Sequence, residues 1–439
     1  MSDPGQPRRG AAELPPAQSS TDAGGILVAV IVLTFLMNTI GRGLTETFAV
    51  FLLPVQTGLN ATRAEISATY SVYMLAYAFA APFAGQLIDR LGARVTYGLG
   101  LSALGLGYAL GGLSTEVWHY YLAIGLCGGL GAAALGMVAA SSLLSRWFSR
   151  RMGSVMSAPY AAVGAGMLIF PPVTQLLIDW LGWRSALYVL GLGTLAILPL
   201  TLALPLGRMT AGSSEWRAAR DQAQRAAGGW TLTAASRTGA FWGLFAAYFW
   251  TSVAAYAVLP QSVAFLVEQR FDPLVAAAAF GVTGSLSVCG ILVVGWLADR
   301  IGRLPTVTMT YLMSIAGTLA LIGVAVWPSL ALVYTFVVFF GLVQGARGPI
   351  ILSLLPTLYP GGAVGAIFGA LSMALGLGAG LGSLASGYLR QLTGGYTASF
   401  ALAALASALG LLTFWIVPSL RHERLGGKGP PPQTTRPLT

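Results

Sequence analysis

The sequence predicts an all-α membrane protein in which twelve transmembrane helices form two six-helix bundles of related sequence. Of its 439 residues, 56% are hydrophobic and only 9% are charged, whereas a typical soluble domain has about 25% charged residues. Apolar segments of about 20 residues, the length of a transmembrane helix, follow one another almost end to end. In addition, a charged, glycine-containing loop occurs in similar form in both halves of the chain.

Six spans are predicted on each side of a polar central stretch, 206–237. The first six are expected at about 26–55, 65–88, 95–113, 119–144, 152–178 and 183–205. The second six are expected at about 238–266, 274–298, 305–325, 329–356, 364–389 and 397–418. The N-terminal bundle is therefore predicted over 25–205 and the C-terminal bundle over 238–420, joined by a cytoplasmic linker. Residues 1–24 and 421–439 are polar and are predicted to be disordered cytoplasmic tails.

The basic residues predict the orientation of the chain in the membrane. With the N-terminus inside, 18 of the 24 Lys and Arg residues fall in cytoplasmic segments, which is the positive-inside pattern. The net charge of +10 is thereby explained by topology, and no nucleic-acid partner is predicted. We therefore expect a multi-pass protein of a cell inner membrane, with both termini in the cytoplasm.

The repeated loop follows the second span of each half. Gly85-Gln-Leu-Ile-Asp-Arg-Leu-Gly-Ala-Arg94 in the first half resembles Gly295-Trp-Leu-Ala-Asp-Arg-Ile-Gly-Arg303 in the second. Parallel repeats of this kind suit a transporter whose halves rock against each other. Ion pairs and helix-end contacts of these loops are predicted to hold the cytoplasmic gate of the transporter in one state. The alternative is that the loops are only basic, tight glycine turns that set the topology. The predicted gating residues are Asp89, Arg90, Arg94, Asp299, Arg300 and Arg303.

This loop resembles the signature of the major facilitator superfamily, and the resemblance extends over nearly the whole chain between the tails. Within that superfamily, Arg42-Gly-Leu-x-x-x-Phe-x-Val-Phe-x-x-Pro54 resembles the first helix of the monocarboxylate and oxalate/formate porter branch. Trp147-Phe-Ser-Arg-Arg-Met-Gly153 resembles the same branch. The resemblance implies the major facilitator fold, transport by alternating access and an organic anion as substrate.

The first span carries two charges at membrane depth. Asn38, Arg42 and Glu46 are spaced by four residues and share one helix face. Each charge costs roughly 2.5–3.5 kcal/mol in a span, so that face must contact protein or a water-filled cavity. Arg42 is predicted to bind substrate and Glu46 to carry a proton. Two alternatives stay open: the two residues form a structural ion pair, or Glu46 is partly solvated near the outer end of the helix.

The tenth span carries the second intramembrane arginine, Arg347. Gly345, Gly348 and Pro349 predict a bend or close packing there, and Gln344 is expected to share the face of Arg347. An ion pair between Arg347 and Glu46 is the alternative to a substrate or gating role. Two arginines against one glutamate predict a positive cavity, and a guanidinium group matches a carboxylate bidentately.

The resemblance also exposes a departure. Members of the porter branch commonly place a substrate-binding basic residue in the eighth helix, but 274–298 contains no internal charge here. Arg347 is the candidate replacement. Tyrosine hydroxyls and one amide in the spans could also donate to a carboxylate, although they are equally common as interfacial anchors and interhelical contacts. The predicted set is Tyr73, Tyr77, Tyr160, Tyr256 and Gln344.

Together these features predict a secondary active transporter of a small organic anion, a monocarboxylate, coupled to proton symport. Anion exchange and efflux of a drug-like compound or metabolite are the alternatives, and a non-transporting receptor is the least favoured. The sequence contains no nucleotide-binding motif, metal-ligand cluster or nucleophile–base set within the spans, so neither an enzyme nor a cofactor is predicted. The expected partners are the anion, a proton or counter-anion, and the lipid bilayer.

Overall fold

The structure is a computed structural model that describes residues 20–148, 152–213, 232–359 and 364–421. Every regular element in these four ranges is helical. Nine of the helices described there are long and apolar enough to cross a bilayer. The predicted all-α membrane fold is therefore confirmed. Most of the predicted tails and 214–231 of the predicted linker lie outside the described residues.

The helices follow one another in an order that matches the predicted spans. The first half contains α1 (Ser20–Gly58), α2 (Arg63–Gly111), α3 (Val117–Leu144) and α4 (Met152–Ala203). Two short helices follow within the predicted linker, α5 (Leu206–Ala211) and α6 (Leu232–Ala235). The second half contains α7 (Gly239–Glu268), α8 (Pro273–Ile301), α9 (Arg303–Val326), α10 (Leu330–Val343), α11 (Arg347–Leu358), α12 (Val364–Thr393), α13 (Thr397–Ile416) and α14 (Pro418–Arg421).

Glycine turns divide the two longest helices into two spans each. Gly92 in α2 has a φ of 81°, and Gly182 in α4 has a φ of 77°. Gly302, between α8 and α9, has a φ of 95°. These left-handed conformations are readily available only to glycine, so the chain turns there. Gly92 and Gly302 occupy corresponding places in the repeated loop, as the predicted tight glycine turn requires.

The tenth predicted span is broken in the middle. Helix α10 ends at Val343, Gly345 adopts a φ of 76°, and α11 begins at Arg347. The predicted bend is therefore confirmed as a complete interruption of the helix. Close packing is also present nearby, because a Cβ atom on Gly290 of α8 would lie 1.6 Å from the carbonyl oxygen of Leu342. Counting α10 and α11 as one span, the described helices supply twelve crossing segments.

Helix α3 contains a π-helical segment, Tyr121–Gly128. Its glycines bring the backbone of α3 against α2. A Cβ atom on Gly128 would lie 2.9 Å from the ring of Tyr73, and one on Gly129 would lie 2.4 Å from the carbonyl oxygen of Tyr73. The glycine-rich fourth span is thus a close helix-packing surface.

The two halves meet along three pairs of helices: α1 with α7, α2 with α12, and α4 with α8. Large apolar side chains cover the outside, where a bilayer would contact them, among them Val28, Phe83, Leu200, Leu292 and Ile416. We call the end of the bundle that carries the loops 59–62, 269–272 and 394–396 the Glu268 face. The opposite end, with the turns at Gly92 and Gly302, is called the Arg90 face.

Candidate substrate site

A cavity of about 270 Å³ lies between the two halves at the middle of the bundle. Helices of both halves line it, including α1, α2, α4, α7, α11 and α12. Six of the seven residues predicted to bind substrate lie on its wall: Arg42, Tyr77, Tyr160, Tyr256, Gln344 and Arg347. The cavity therefore brings together groups that are far apart in the sequence.

Arg42 and Glu46 form a buried ion pair on α1. Arg42 Nη2 lies 2.7 Å from Glu46 Oε1, and the two side chains are 23% and 2% exposed. Glu46 Oε1 makes no hydrogen bond with the described residues. The contact is therefore ionic rather than hydrogen bonded, and Arg42 is the acid's charged partner. Glu46 is buried, so the structure does not support the alternative that it is partly solvated near the outer end of the helix.

Tyr256 of α7 connects Arg42 to the other half. Arg42 Nη2 donates a hydrogen bond to the Tyr256 hydroxyl, and the Arg42 guanidinium lies 5.8 Å from the centre of the Tyr256 ring. Tyr70 of α2 packs beside this ring with a centroid separation of 5.7 Å. A single nitrogen of Arg42 is thus shared between an acid of its own helix and a hydroxyl of the opposite half.

Arg347, at the first residue of α11, is held by neutral groups of α9. Its Nε donates to Thr310 Oγ1 at 3.2 Å, and its Nη2 donates to the Thr310 carbonyl at 2.6 Å and to Ser314 Oγ. The guanidinium lies 4.0 Å from the centre of the Tyr311 ring, a cation–π contact. Arg347 is 5% exposed, and no described carboxylate lies within ion-pair distance of it. The alternative pairing of Arg347 with Glu46 is not what the structure shows.

The other predicted ligands are placed differently. Gln344 lies at the break between α10 and α11, and Tyr77 and Tyr160 are half-buried on the cavity wall. Tyr73 does not line the cavity: its hydroxyl lies 2.7 Å from Thr45 Oγ1, and its side chain is 2% exposed beneath α3. Asn38 does line the cavity, but its amide donates to the carbonyl of Thr34, one turn earlier in the same helix.

The predicted gating arginines lie on the Arg90 face. Arg90, Arg94 and Arg300 are exposed, and the Arg300 guanidinium lies 5.0 Å from the ring of Trp296. Arg303 is partly buried at the start of α9. Asp89 and Asp299 belong to α2 and α8, but their side chains lie outside the described part of the structure.

Arg146, at the end of α3, is a contact of this face that sequence reasoning counted only as a topology signal. Its Nη1 donates to the Thr210 carbonyl of α5 at 2.7 Å, and its Nη2 donates to the Ile88 carbonyl at 3.2 Å. Thr210 Oγ1 also accepts from the amide of Ala93 at 3.1 Å. The side chain of Arg146, 4% exposed, thereby joins α5 to the turn that contains Gly92.

The Glu268 face holds an ionic cluster that sequence reasoning missed. Glu268, the last residue of α7, accepts from Arg63 of the first half, from the Tyr396 hydroxyl at 2.9 Å and from Arg390 at 2.8 Å. Below it, Gln261 donates to Ser67 Oγ at 2.9 Å. The available signal was that Glu268 is one of only 14 acidic residues and ends a span.

Helix α2 is further joined to α12 under this cluster. Ser71 Oγ donates to the Gly380 carbonyl at 2.7 Å, and Ser383 Oγ donates to the Ser67 carbonyl at 3.3 Å. We call these contacts together with the Glu268 cluster the seam. None of the seam's residues is among the described residues that line the cavity, which extends instead to Ala81, Val138 and Phe368 on the Arg90 side. The seam therefore separates the cavity from the Glu268 face.

This arrangement agrees with comparisons of the chain with known proteins. Residues 29–370 match the family model described as Major Facilitator Superfamily. The chain belongs to this superfamily. Bovine monocarboxylate transporter 13 is 29% identical over 381 residues, which are 87% of this chain and 86% of that protein. Human monocarboxylate transporter 11 is 29% identical over 410 residues, which are 88% of this chain and 82% of that protein.

Solved structures of the superfamily have the same fold. A partially occluded inward-open structure of the xylose transporter XylE from E. coli matches the present chain with a TM-score of 0.72. The match covers 90% of this chain and 98% of that chain at 14% sequence identity. The chain is therefore a membrane transporter with the major facilitator fold that resembles monocarboxylate transporters, and it is not an enzyme.

Proposed function

We propose that this transporter moves a small monocarboxylate by alternating access, coupled to a proton. The observation that carries the proposal is the position of Arg42, which lies in a cavity between the halves and is shared by Glu46 and Tyr256. Charged groups inside membrane spans are costly, and they usually mark substrate or ion pathways. The names of the bovine and human relatives, both monocarboxylate transporters, support the same substrate class.

The charges of the cavity favour an anion. Two arginines line it, and Glu46 balances only one of them. Arg347 uses Nε and Nη2 for its bonds to Thr310 and Ser314, and it makes no hydrogen bond through Nη1 with the described residues. A carboxylate could therefore accept from Nη1 of Arg347 and from Arg42, one from each half. This clamp would replace the basic residue that the eighth span lacks.

Competition for Arg42 supplies a physical route to proton coupling. While Glu46 is ionised, its carboxylate occupies the guanidinium that a substrate would use. Protonation of Glu46 removes that charge and releases Arg42 for the incoming anion. Loss of the proton then restores the internal pair and favours release of the substrate. One proton would therefore accompany each carboxylate, as in symport.

The seam supports alternating access. It closes the path from the cavity to the Glu268 face, and only a movement of α2 away from α7 and α12 would open that path. The positive-inside pattern supports an orientation in an inner membrane with the Arg90 face and both termini on the cytoplasmic side. In this structure the cavity would then be closed toward the outside and would face the cytoplasm. During transport the bundles 25–205 and 238–420 would move relative to each other, joined by the linker 206–237. The exposed arginines on the Arg90 face, with Asp89 and Asp299, would form the ion pairs and helix-end contacts that gate the cytoplasmic side when it closes.

Uptake into proteoliposomes tests the proposal. Labelled carboxylates would be supplied outside at acid pH with a neutral interior, and we expect uptake that disappears when the pH gradient is abolished. Arg42→Gln should abolish it, whereas Arg237→Gln removes the same charge from an exposed position outside the spans and should not. Uptake by the Arg42→Gln protein at the normal rate would overturn the proposal. Transport restricted to neutral apolar compounds would instead favour efflux of a drug-like molecule.

A further inference from the structure

Aromatic and sulfur-containing side chains form much of the cavity wall. Both halves contribute, and the residues are Tyr77, Tyr160, Tyr248, Tyr256, Phe368, Met74, Met137 and Met167. We propose that the substrate is a monocarboxylate with an aromatic body, of the size of a single ring, rather than an acid of two or three carbons. This inference rests on the proposed function, because it takes the carboxylate as the group that Arg42 binds.

Two of the four tyrosines on the wall use their hydroxyl groups within the protein. The Tyr248 hydroxyl donates to the carbonyl of Gly348 at 3.1 Å, and the Tyr256 hydroxyl accepts from Arg42. Since these polar atoms are satisfied within the protein, the rings are left to contact the substrate. Aromatic rings attract other rings in offset or edge-on geometry, and methionine adapts to a ring through its polarizable sulfur.

Arg42 lies at a different depth from the aromatic residues nearest the Arg90 face. Arg42 lies in the middle of α1, whereas Tyr160 and Phe368 lie near the starts of α4 and α12, toward the Arg90 face. A bound molecule that meets all three residues must have its negative group deep and its apolar body toward that face. This polarity matches a ring that carries one carboxylate at its end.

The size of the cavity fits such a molecule. Its volume of about 270 Å³ is room for about nine water-sized groups at roughly 30 Å³ each. A carboxylate on a single ring fits within this space, because covalently bonded atoms lie closer together than separate water molecules do. Acetate would fill less than half of the cavity and would leave its aromatic wall in contact with water.

The test is competition against uptake of labelled benzoate by proteoliposomes, with uptake by protein-free liposomes subtracted. The competitors are unlabelled benzoate, acetate, cyclohexanecarboxylate and benzyl alcohol. We expect half-inhibition by benzoate at a concentration at least about tenfold lower than by acetate, with cyclohexanecarboxylate between them and benzyl alcohol without effect. Acetate or cyclohexanecarboxylate competing as well as benzoate would overturn the inference.

Variants of Tyr160 separate its ring from its hydroxyl. Tyr160→Leu should reduce severalfold the ratio between the half-inhibiting concentrations of acetate and benzoate. Tyr160→Phe keeps the ring and should keep that ratio. Tyr334→Leu makes a similar change on an exposed, lipid-facing position and serves as the folding control. An unchanged ratio in Tyr160→Leu would count against the proposed aromatic contact.

The outcome also separates this inference from the proposed function. If all carboxylates compete equally and Arg42→Gln abolishes uptake, only the aromatic preference is wrong. If no carboxylate competes, or if Arg42→Gln has no effect, the proposed function itself fails.

Discussion

Arg42 lies beside a carboxylate, whereas Arg347 is surrounded by neutral oxygen atoms and an aromatic ring. Both line the same cavity from opposite halves. Arg42 is 23% exposed, and its Nη2 is ion-paired with Glu46 and hydrogen bonded to Tyr256. Arg347 is 5% exposed and is hydrogen bonded to Thr310 and Ser314 of α9. The first arginine has a partner that a proton can neutralise, and the second has none of that kind among the described residues.

The difference indicates a division of roles. An arginine held by neutral acceptors keeps its place and its charge when the pH changes, so Arg347 provides a constant positive charge. An arginine paired with a buried acid is available to an anion only when the acid is protonated. Under the proposed function, Arg347 therefore attracts the substrate and Arg42 couples its binding to the proton.

Replacing Arg42 should have the largest effect on uptake and thermal stability. In Arg42→Gln, Glu46 loses its charged partner, and breaking a buried pair in this way costs about 3–5 kcal/mol in soluble proteins. We expect lost uptake together with a clearly lower melting temperature. Adding Glu46→Gln removes the unpaired charge, so the double variant should regain most of its thermal stability but none of its uptake. Thermal unfolding and uptake measured on the same preparations check this, and a double variant as unstable as the single one would contradict it.

Replacing Arg347 should affect transport more than stability. Arg347→Gln leaves only neutral groups behind, and the lost hydrogen bond to the bound anion corresponds to about 1.5–3 kcal/mol. We expect uptake to fall by roughly tenfold to a hundredfold, with a higher KM for the anion. Arg347→Lys keeps the charge but loses the planar fork that bonds Thr310, so it should recover part of the affinity. Equal loss in both variants would indicate a structural role for the guanidinium group.

Neutralising Glu46 alone should change the pH profile rather than the maximal rate. In Glu46→Gln the side chain cannot ionise, so Arg42 stays available to the anion at all pH values. The unmodified protein should lose uptake as the pH rises and Glu46 releases its proton, whereas the variant should show a flat profile. Uptake with and without an imposed pH gradient measures this, and a gradient response retained by the variant would place the coupling group elsewhere.

Weakening the seam should have the smallest effect on transport. Glu268→Gln removes the acid that joins Arg63 to Arg390 while it leaves the Ser67 and Ser71 contacts in place. We expect a change in uptake of a few-fold only, because partly exposed ion pairs contribute about 0–1 kcal/mol. A cysteine placed at Ala379 should nevertheless react faster with an impermeant thiol reagent added from the Glu268 face. The Glu65→Gln protein with the same cysteine is the control.

The sequence predicts the architecture well because membrane insertion leaves few alternatives. Apolar length, the basic loops and the glycine turns at Gly92 and Gly302 all follow from local residues. Burial of Arg42, Glu46 and Arg347 follows as well, because none of them can face lipid.

Partners across the fold are less predictable. That Arg42 bonds Tyr256 of the opposite half, and that Arg347 bonds Thr310, depends on helix rotation, which the residue spacing alone leaves open. Tyr73 illustrates the same problem, since it shares a helix face with Tyr77 but lies under α3 rather than on the cavity wall. Glu268 resembles an ordinary loop acid until Arg63 and Arg390 are brought to it by folding.

The π-helical segment Tyr121–Gly128 has a consequence for sequence alignment. A π turn holds one residue more than an α turn, so everything after it is rotated by about 100° relative to an uninterrupted α-helix. Gly129 and Gly131, which follow this segment, both meet α2. A homologous chain with a uniformly α-helical fourth span should therefore align through a one-residue gap within 121–128. Deleting one residue there would turn the glycine face of α3 away from α2, a larger disturbance than any single substitution in that segment.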